Sequence, residues 1–253
     1  MLEAMLSLSA QQFHTKTLER KAWIDLQLVQ HIGLSAWSND DFVNDGYPRS
    51  SVTEFRGVFN ARLISSYVGF FADMGIGVLP APKMGSLDPS RIPAPHTGTR
   101  YYLREIVAEK GNGRTSAQFR MTGGLFGRIP AGERLSVQPY FGVGFMTMPM
   151  RRYDVILKED GTNTQYNTRF VWNAEGIDDD TSATLGYLTG RLNFNCKLAE
   201  KLNLLLGVEY THFFSAPIFY ARYTNAFNAN IERRIEVTGN RMNMLGLSVG
   251  LSF

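Results

Sequence analysis

From Lys21 onward the sequence alternates between apolar and polar residues. In KAWIDLQLVQHIGLSAW, Ile24, Leu26, Leu28, Ile32, Leu34 and Ala36 fall on one side of an extended chain, and Asp25, Gln27, His31 and Ser35 on the other. Successive side chains of a strand point to opposite faces, so this stretch has one apolar and one polar face. The run exceeds the roughly 5–6 residues of a typical soluble strand. It is long enough for the roughly 9–11 residues with which a tilted strand crosses a membrane. The pattern returns over residues 53–63, 67–79, 116–129, 135–148, 182–196 (the weakest instance), 202–214 and 242–253, which predicts eight strands. The most helix-like apolar stretch, residues 63–82, keeps the period of two and carries Asp73, three glycines and two prolines. A strand accounts for it without burying an acid in a helix.

The connections sort by length. Those after predicted strands two, four and six are short (64–66, 130–134 and 197–201). Those after strands one, three, five and seven are long (37–52, 80–115, 149–181 and 215–241). Short periplasmic turns, long extracellular loops and an even strand number with both termini periplasmic are the traits of outer-membrane barrels. A soluble β-sandwich, the competing fold, gives no reason for that sorting. The predicted fold is therefore all-β: an eight-stranded antiparallel up-and-down transmembrane β-barrel with short periplasmic turns and long extracellular loops.

The strand count, the loop asymmetry and the terminal GLSVGLSF resemble the OmpA/OmpX-type eight-stranded outer-membrane barrels. The resemblance covers about residues 21–253. Leu247, Val249, Leu251 and the closing Phe253 look like the C-terminal signal read by the barrel-assembly machinery of Gram-negative bacteria. The Ser-Ala-Gln start and the Gly- and aromatic-rich strands are similar to outer-membrane barrel domains of Bacteroidetes. What this implies is a place in the cell outer membrane, with outer-membrane lipids, lipopolysaccharide and the assembly machinery as partners. It carries no catalytic motif.

Composition alters the picture little. The 253 residues are 44% hydrophobic and 19% charged, values that an alternating barrel averages to. The 24 glycines, 17 phenylalanines and 11 tyrosines suit such strands. A net charge of +3 without a Lys/Arg cluster argues against a nucleic-acid partner. The lone Cys196 has no disulfide partner or metal cluster, and it lies too far from the N-terminus to anchor a lipid. The opening MLEAMLSLSAQQ resembles the end of a secretory signal, so residues 1–20 read as an N-terminal extension or signal-peptide remnant and 21–253 as the barrel.

Eight strands leave an interior that side chains can fill. The predicted inward acids are Asp25, Glu54, Asp73 and Glu209, facing Arg56, Arg62, Arg120, Arg128 and Arg191. Buried charges need partners, so these residues predict an ionic plug. If Arg62 faces Tyr67 across the second turn, Arg56 falls opposite Asp73. The outward Phe55, Phe59, Phe70, Phe119, Phe141, Phe145, Phe194, Tyr210 and Phe253 predict lipid contacts and interfacial girdles.

Among the loops, RYYLREIVAEKGNGRTSAQF reads as a hairpin around Gly111-Asn112-Gly113, and RRYDVILKEDGTNTQYNTRFVW as a ribbon turning at Asp160-Gly161. Such ribbons offer edges for strand addition by a protein partner. The fourth loop, SAPIFYARYTNAFNANIERR, reads as loop packing, with phosphate contact through its arginines as the alternative. The acidic stretches Asn39-Asp40-Asp41, Asn44-Asp45-Gly46 and Asp178-Asp179-Asp180 lack EF-hand spacing and read as turns rather than calcium sites.

The functional expectation is a non-enzymatic barrel, structural or partner-binding through its loops, with no cofactor and no metal. A narrow pore or transport protein is the alternative. A lipid A-modifying hydrolase is a lesser one and would need His212 beside a hydroxyl such as Ser182 or Thr184. His31 is expected in the lumen's polar network. No nucleotide loop, Cys/His cluster or paired-carboxylate motif is present.

Overall fold

A computed structural model describes residues 21–35, 51–63, 67–79, 94–96, 98–107, 116–149, 152–172, 182–216, 218–228 and 230–253. The expected N-terminal segment 1–20, the acidic stretches and the Gly111-Asn112-Gly113 turn lie outside the described residues. Eight strands make the barrel: β1 (Ala22–Gly33), β2 (Ser51–Arg62), β3 (Val68–Leu79), β5 (Ser116–Gly127), β7 (Leu135–Pro149), β10 (Ser182–Ala199), β11 (Leu202–Phe213) and β14 (Asn243–Ser252). Each pairs antiparallel with its sequence neighbour in the barrel. β14 returns to β1, and the sheet closes without an edge. A two-residue strand, β6 (Ile129–Pro130), folds back onto β7 inside one turn.

The register fixes the barrel's shape. Residues opposite one another can be followed once round the wall from Trp23, through Asn60, Phe71, Gly124, Gly142, Thr189, Thr211 and Met244. The path re-enters β1 at Gly33, ten residues (33 − 23) beyond its start. A stagger of ten residues at about 3.3 Å each, over eight strand spacings of about 4.8 Å, tilts the strands by roughly 40°. The barrel strands run from 10 residues in β14 to 18 in β10. At that tilt the ten residues of β14 rise about 25 Å, the height of an outer-membrane barrel's apolar band, and a twelve-residue strand rises about 30 Å.

Alternation decides which side chains fill the barrel. Leu28, Phe55, Ile76, Leu125, Phe141, Phe194, Leu206 and Leu247, one on each barrel strand, are 42–61% exposed and form an apolar belt around the whole circumference. Asp25, Glu54, Arg56, Asp73, Arg120, Arg191 and Glu209 are buried inside. The interior is not uniformly polar. Trp23, Val58, Phe71, Phe126 and Tyr140 form an aromatic cluster in its lower half, nearer the termini. Val52, Met146, Leu185, Phe213, Met242 and Met244 are buried toward the opposite mouth. So narrow a tube needs glycines wherever a ring meets the wall. A Cβ on Gly142 would lie 2.8 Å from the Phe71 ring, and one on Gly246 would lie 3.0 Å from His31 Nδ1.

The turn between β2 and β3 corrects one expectation. The Leu63 amide donates to the Val68 carbonyl at 3.1 Å, which sets Arg62 opposite Gly69 rather than Tyr67. That two-residue shift places Arg56 opposite Gly75 and Asp73 opposite Val58, so the expected Arg56–Asp73 pair is not a cross-strand neighbour pair.

At the end opposite the termini stands a second antiparallel sheet, built from β4 (Tyr101–Val107), β8 (Arg152–Glu159), β9 (Gln165–Trp172), β12 (Ile218–Asn225) and β13 (Ile231–Thr238) in the order β13-β12-β9-β8-β4. Three separate connections supply it: β3–β5 gives β4, β7–β10 gives the β8–β9 hairpin, and β11–β14 gives the β12–β13 hairpin. The β8–β9 hairpin turns where Asp160-Gly161 predicts it, with Gly161 at a φ of 78°. The other two connections differ from expectation. β4 pairs with β8, and the fourth loop, expected as packing, forms a hairpin that joins β9.

Candidate functional site

Two regions hold the chemistry: the lumen and the outer sheet. In the lumen, Glu209 on β11 collects three arginines from three other strands. Arg56 Nη1 donates to its Oε2 at 2.5 Å, Arg191 Nε to the same oxygen at 2.8 Å, and Arg120 Nη2 lies 2.5 Å from its Oε1. Arg56 Nε also donates to Glu54 Oε1 at 2.6 Å, and Arg191 Nη2 to Asp73 Oδ2 at 2.5 Å. His31 Nε2 stands 3.1 Å from Glu54 Oε2. Six of the predicted charges, Glu209 included, thus form one cluster around it, and Asp73 is held by Arg191 rather than by Arg56. Each of these carboxylates and guanidinium groups has an oppositely charged partner within hydrogen-bond distance, as burial of an ion demands.

Aromatic residues hold the arginines in place. Arg120 lies over the Tyr187 ring at 4.4 Å and donates to its hydroxyl at 2.7 Å. Arg191 lies 5.6 Å from the Phe71 ring and 5.4 Å from the Tyr140 ring, and these two rings meet edge to face. These are favourable positions for a guanidinium over a ring face. Asp25 belongs to a different chain of contacts. Asn60 Nδ2 donates to its Oδ2 at 2.8 Å, and Tyr140 Oη lies 3.1 Å from Asn60 Oδ1 and 3.0 Å from Gln138 Oε1. Arg62 and Arg128, expected among the inward charges, are only partly buried near the terminal end. Arg128 lies 6.0 Å from the Trp23 ring. Leu247, Val249, Leu251 and Phe253 face outward in the belt, 38–53% exposed.

His212 stands away from both positions expected to supply a hydroxyl. Its Nδ1 is 2.8 Å from Asn243 Oδ1, to which the Tyr210 hydroxyl also donates at 2.9 Å. It lies opposite Leu188 in the register, four residues along β10 from Thr184 and six from Ser182. Four residues of strand span about 13 Å, too far for proton transfer. Among the described residues no group of three or more His, Cys, Asp or Glu is placed to hold a metal ion.

The outer sheet has two unlike faces. Val155, Thr168 and Tyr223 lie opposite one another on β8, β9 and β12 and are buried, as are Leu157 and Tyr166 one step along. Tyr166 meets Tyr101 and His96 edge to face at 5.8 and 5.7 Å. Arg233 Nη1 donates to the carbonyls of Ala94 and Pro95 at 3.1 and 3.0 Å, tying a loop segment to the sheet. Burial pushes the Tyr223 phenol above its ordinary range, and Arg233 offsets only part of that. On the opposite face Asp154, Ile156, Asn167, Arg222 and Thr224 line a cavity of about 440 Å3. The sequence hid this cavity because its walls come from two different loops.

In hydrocarbon every backbone polar group must be satisfied internally, which only helices and closed barrels achieve. A soluble protein rarely exposes an apolar patch beyond a few hundred Å2, whereas here the belt runs round the whole wall. The chain is an integral membrane β-barrel of the outer-membrane type. No protein-family model matches the sequence, and no curated protein matches it. Solved structures with a similar course include Neisserial surface protein A (8% identity, 92% of this chain and 96% of that one, TM-score 0.42). A major outer membrane protein from Thermus thermophilus is another (10% identity, 91% and 98%, TM-score 0.41). A third is Ail, the attachment invasion locus protein of Yersinia pestis (10% identity, 92% and 97%, TM-score 0.37). The barrel assignment stands on the strand pairing and the belt, not on these likenesses.

Proposed function

We propose that this protein is a non-enzymatic outer-membrane barrel that works by presenting its outer sheet to a partner, while the lumen serves as a charged plug. The observation that carries this reading is the outer sheet itself: three connections converge to build one β-surface beyond the belt. A loop needed only to join two strands has no cause to pair with two others. Functional surfaces are commonly held on such scaffolded loops. The filled lumen supports the same reading, because Arg56, Arg120 and Glu209 are almost wholly buried where a pore would need water. The resemblance to barrel domains of Bacteroidetes belongs to this proposal as well.

The test is capture from native outer membranes with the full-length protein in detergent, beside a Thr168→Pro variant. Thr168 lies in β9, paired on both sides, and proline removes the ladder donor and clashes in a central strand. A partner retained by the parent protein and lost by the variant, with heat-modifiable gel mobility preserved in both, is the expected outcome. Equal capture by both would overturn the proposal. Incubation with lipopolysaccharide followed by mass analysis checks the non-enzymatic part, with no change in acyl chain content expected.

A further inference from the structure

The outer sheet carries a polar cavity on the face away from its buried side chains. In its register Asp154 on β8 stands opposite Arg169 on β9, Arg169 opposite Arg222 on β12, and Arg222 opposite Arg234 on β13. The cavity of about 440 Å3 opens along the row, with Arg222 and Asp154 both in its wall. Neither is a loose surface charge, since each is engaged within the protein.

We propose that this cavity binds an anionic saccharide: its acidic group on Arg222, its hydroxyls on Asp154, Asn167 and Thr224, and its C–H face against Ile156. This deepens the partner-presenting reading above and rests on it. The wall chemistry separates a sugar from a bare anion. Asp154 repels an unadorned sulfate or phosphate, yet it is a strong acceptor for hydroxyl donors. Asn167 and Thr224 each donate and accept, as a polyhydroxyl ligand requires. Ile156 supplies an apolar wall that an inorganic ion does not use. The volume is within the roughly 300–1,000 Å3 of small-molecule pockets and well beyond a single oxyanion.

The test is calorimetric titration of the full-length protein in detergent with glucuronic acid and glucose 6-phosphate, beside glucose and inorganic phosphate. The acidic sugars are expected to bind at least about tenfold tighter than either glucose or phosphate alone, a gap of about 1.4 kcal/mol. Arg222→Ala should abolish the preference over glucose, and Asn167→Ala should weaken both acidic sugars. Should Arg222→Ala disturb the sheet, Arg222→Lys keeps the charge without the bidentate fork and is expected to bind with intermediate affinity. Equal affinity for glucose and glucuronic acid, phosphate binding as tightly as glucose 6-phosphate, or an Arg222→Ala variant indistinguishable from the parent would each overturn the inference. Two further arms identify the source: deacylated lipopolysaccharide core oligosaccharide for the protein's own membrane, and a uronic-acid disaccharide for another surface. Binding of either supports the site, and binding of neither overturns it. If sugars fail while partner capture still depends on the outer sheet, only the saccharide site falls; if capture fails too, the presenting role falls with it.

Discussion

At the residue scale Glu209 organises the lumen. It is the shared acceptor of Arg56, Arg120 and Arg191, each buried in the lumen. Glu209→Ala leaves three cations short of their common partner, and breaking a buried pair costs about 3–5 kcal/mol. A matching drop in the urea unfolding free energy in detergent micelles is expected. An effect within about 0.5 kcal/mol, typical of surface substitutions, would show that the cluster does not hold the barrel. The charges themselves were legible in the sequence, because each occupies the polar parity of an alternating strand. Their partners were not. Arg191 and Asp73 are 118 positions apart and meet across the lumen, where neither strand neighbour nor turn announces the contact. The inward Trp23, Phe71 and Phe126 escaped for another reason: parity separates inside from outside, but a narrow tube is filled by volume as much as by charge.

At the scale of elements, the membrane strands were readable because lipid on one side and a filled lumen on the other impose the same period along their whole length. The β2–β3 register was not, since hydrogen bonding at Leu63 and Val68 sets it rather than the pattern. A shift of two residues keeps every side chain on its face, so alternation cannot detect it. The outer sheet was half readable. The Asp160-Gly161 turn identified the β8–β9 hairpin, whereas β4 and the β12–β13 hairpin find their place through pairing with chain segments distant in sequence. Gly161 has a φ of 78°, which branched residues rarely adopt. Gly161→Val is expected to cost about 1–3 kcal/mol locally. Faster amide exchange in β8 and β9, with exchange in the barrel strands unchanged, is the measurement that checks it. Uniform acceleration throughout would mean that the sheet and the barrel unfold together.

For the whole molecule the apolar belt and the filled interior make two predictions. Phe141 lies in the belt, 60% exposed to lipid, and Phe227 lies in the β12–β13 turn, 73% exposed to water. Phe141→Arg is expected to cost about 2–4 kcal/mol at mid-bilayer depth, while Phe227→Arg should stay within about 0.5 kcal/mol. Folding titrations into lipid vesicles measure both, and equal costs would contradict the placement of the bilayer. In planar bilayers the parent protein should show no large, reproducible conductance, because the buried arginines and aromatics occupy the path. A stable open level in the purified protein would favour the narrow-pore alternative.

The outer sheet also makes the exposed surface a composite one. Its β12–β13 hairpin lies between β11 and β14, so the surface is complete only after the last staves of the barrel have been delivered. A peptide copied from any one loop therefore lacks the neighbours that shape it. Antibodies raised on the assembled protein should recognise intact cells and ignore such peptides, and their binding would report insertion itself. Drift in any of the three loops therefore changes the same epitope.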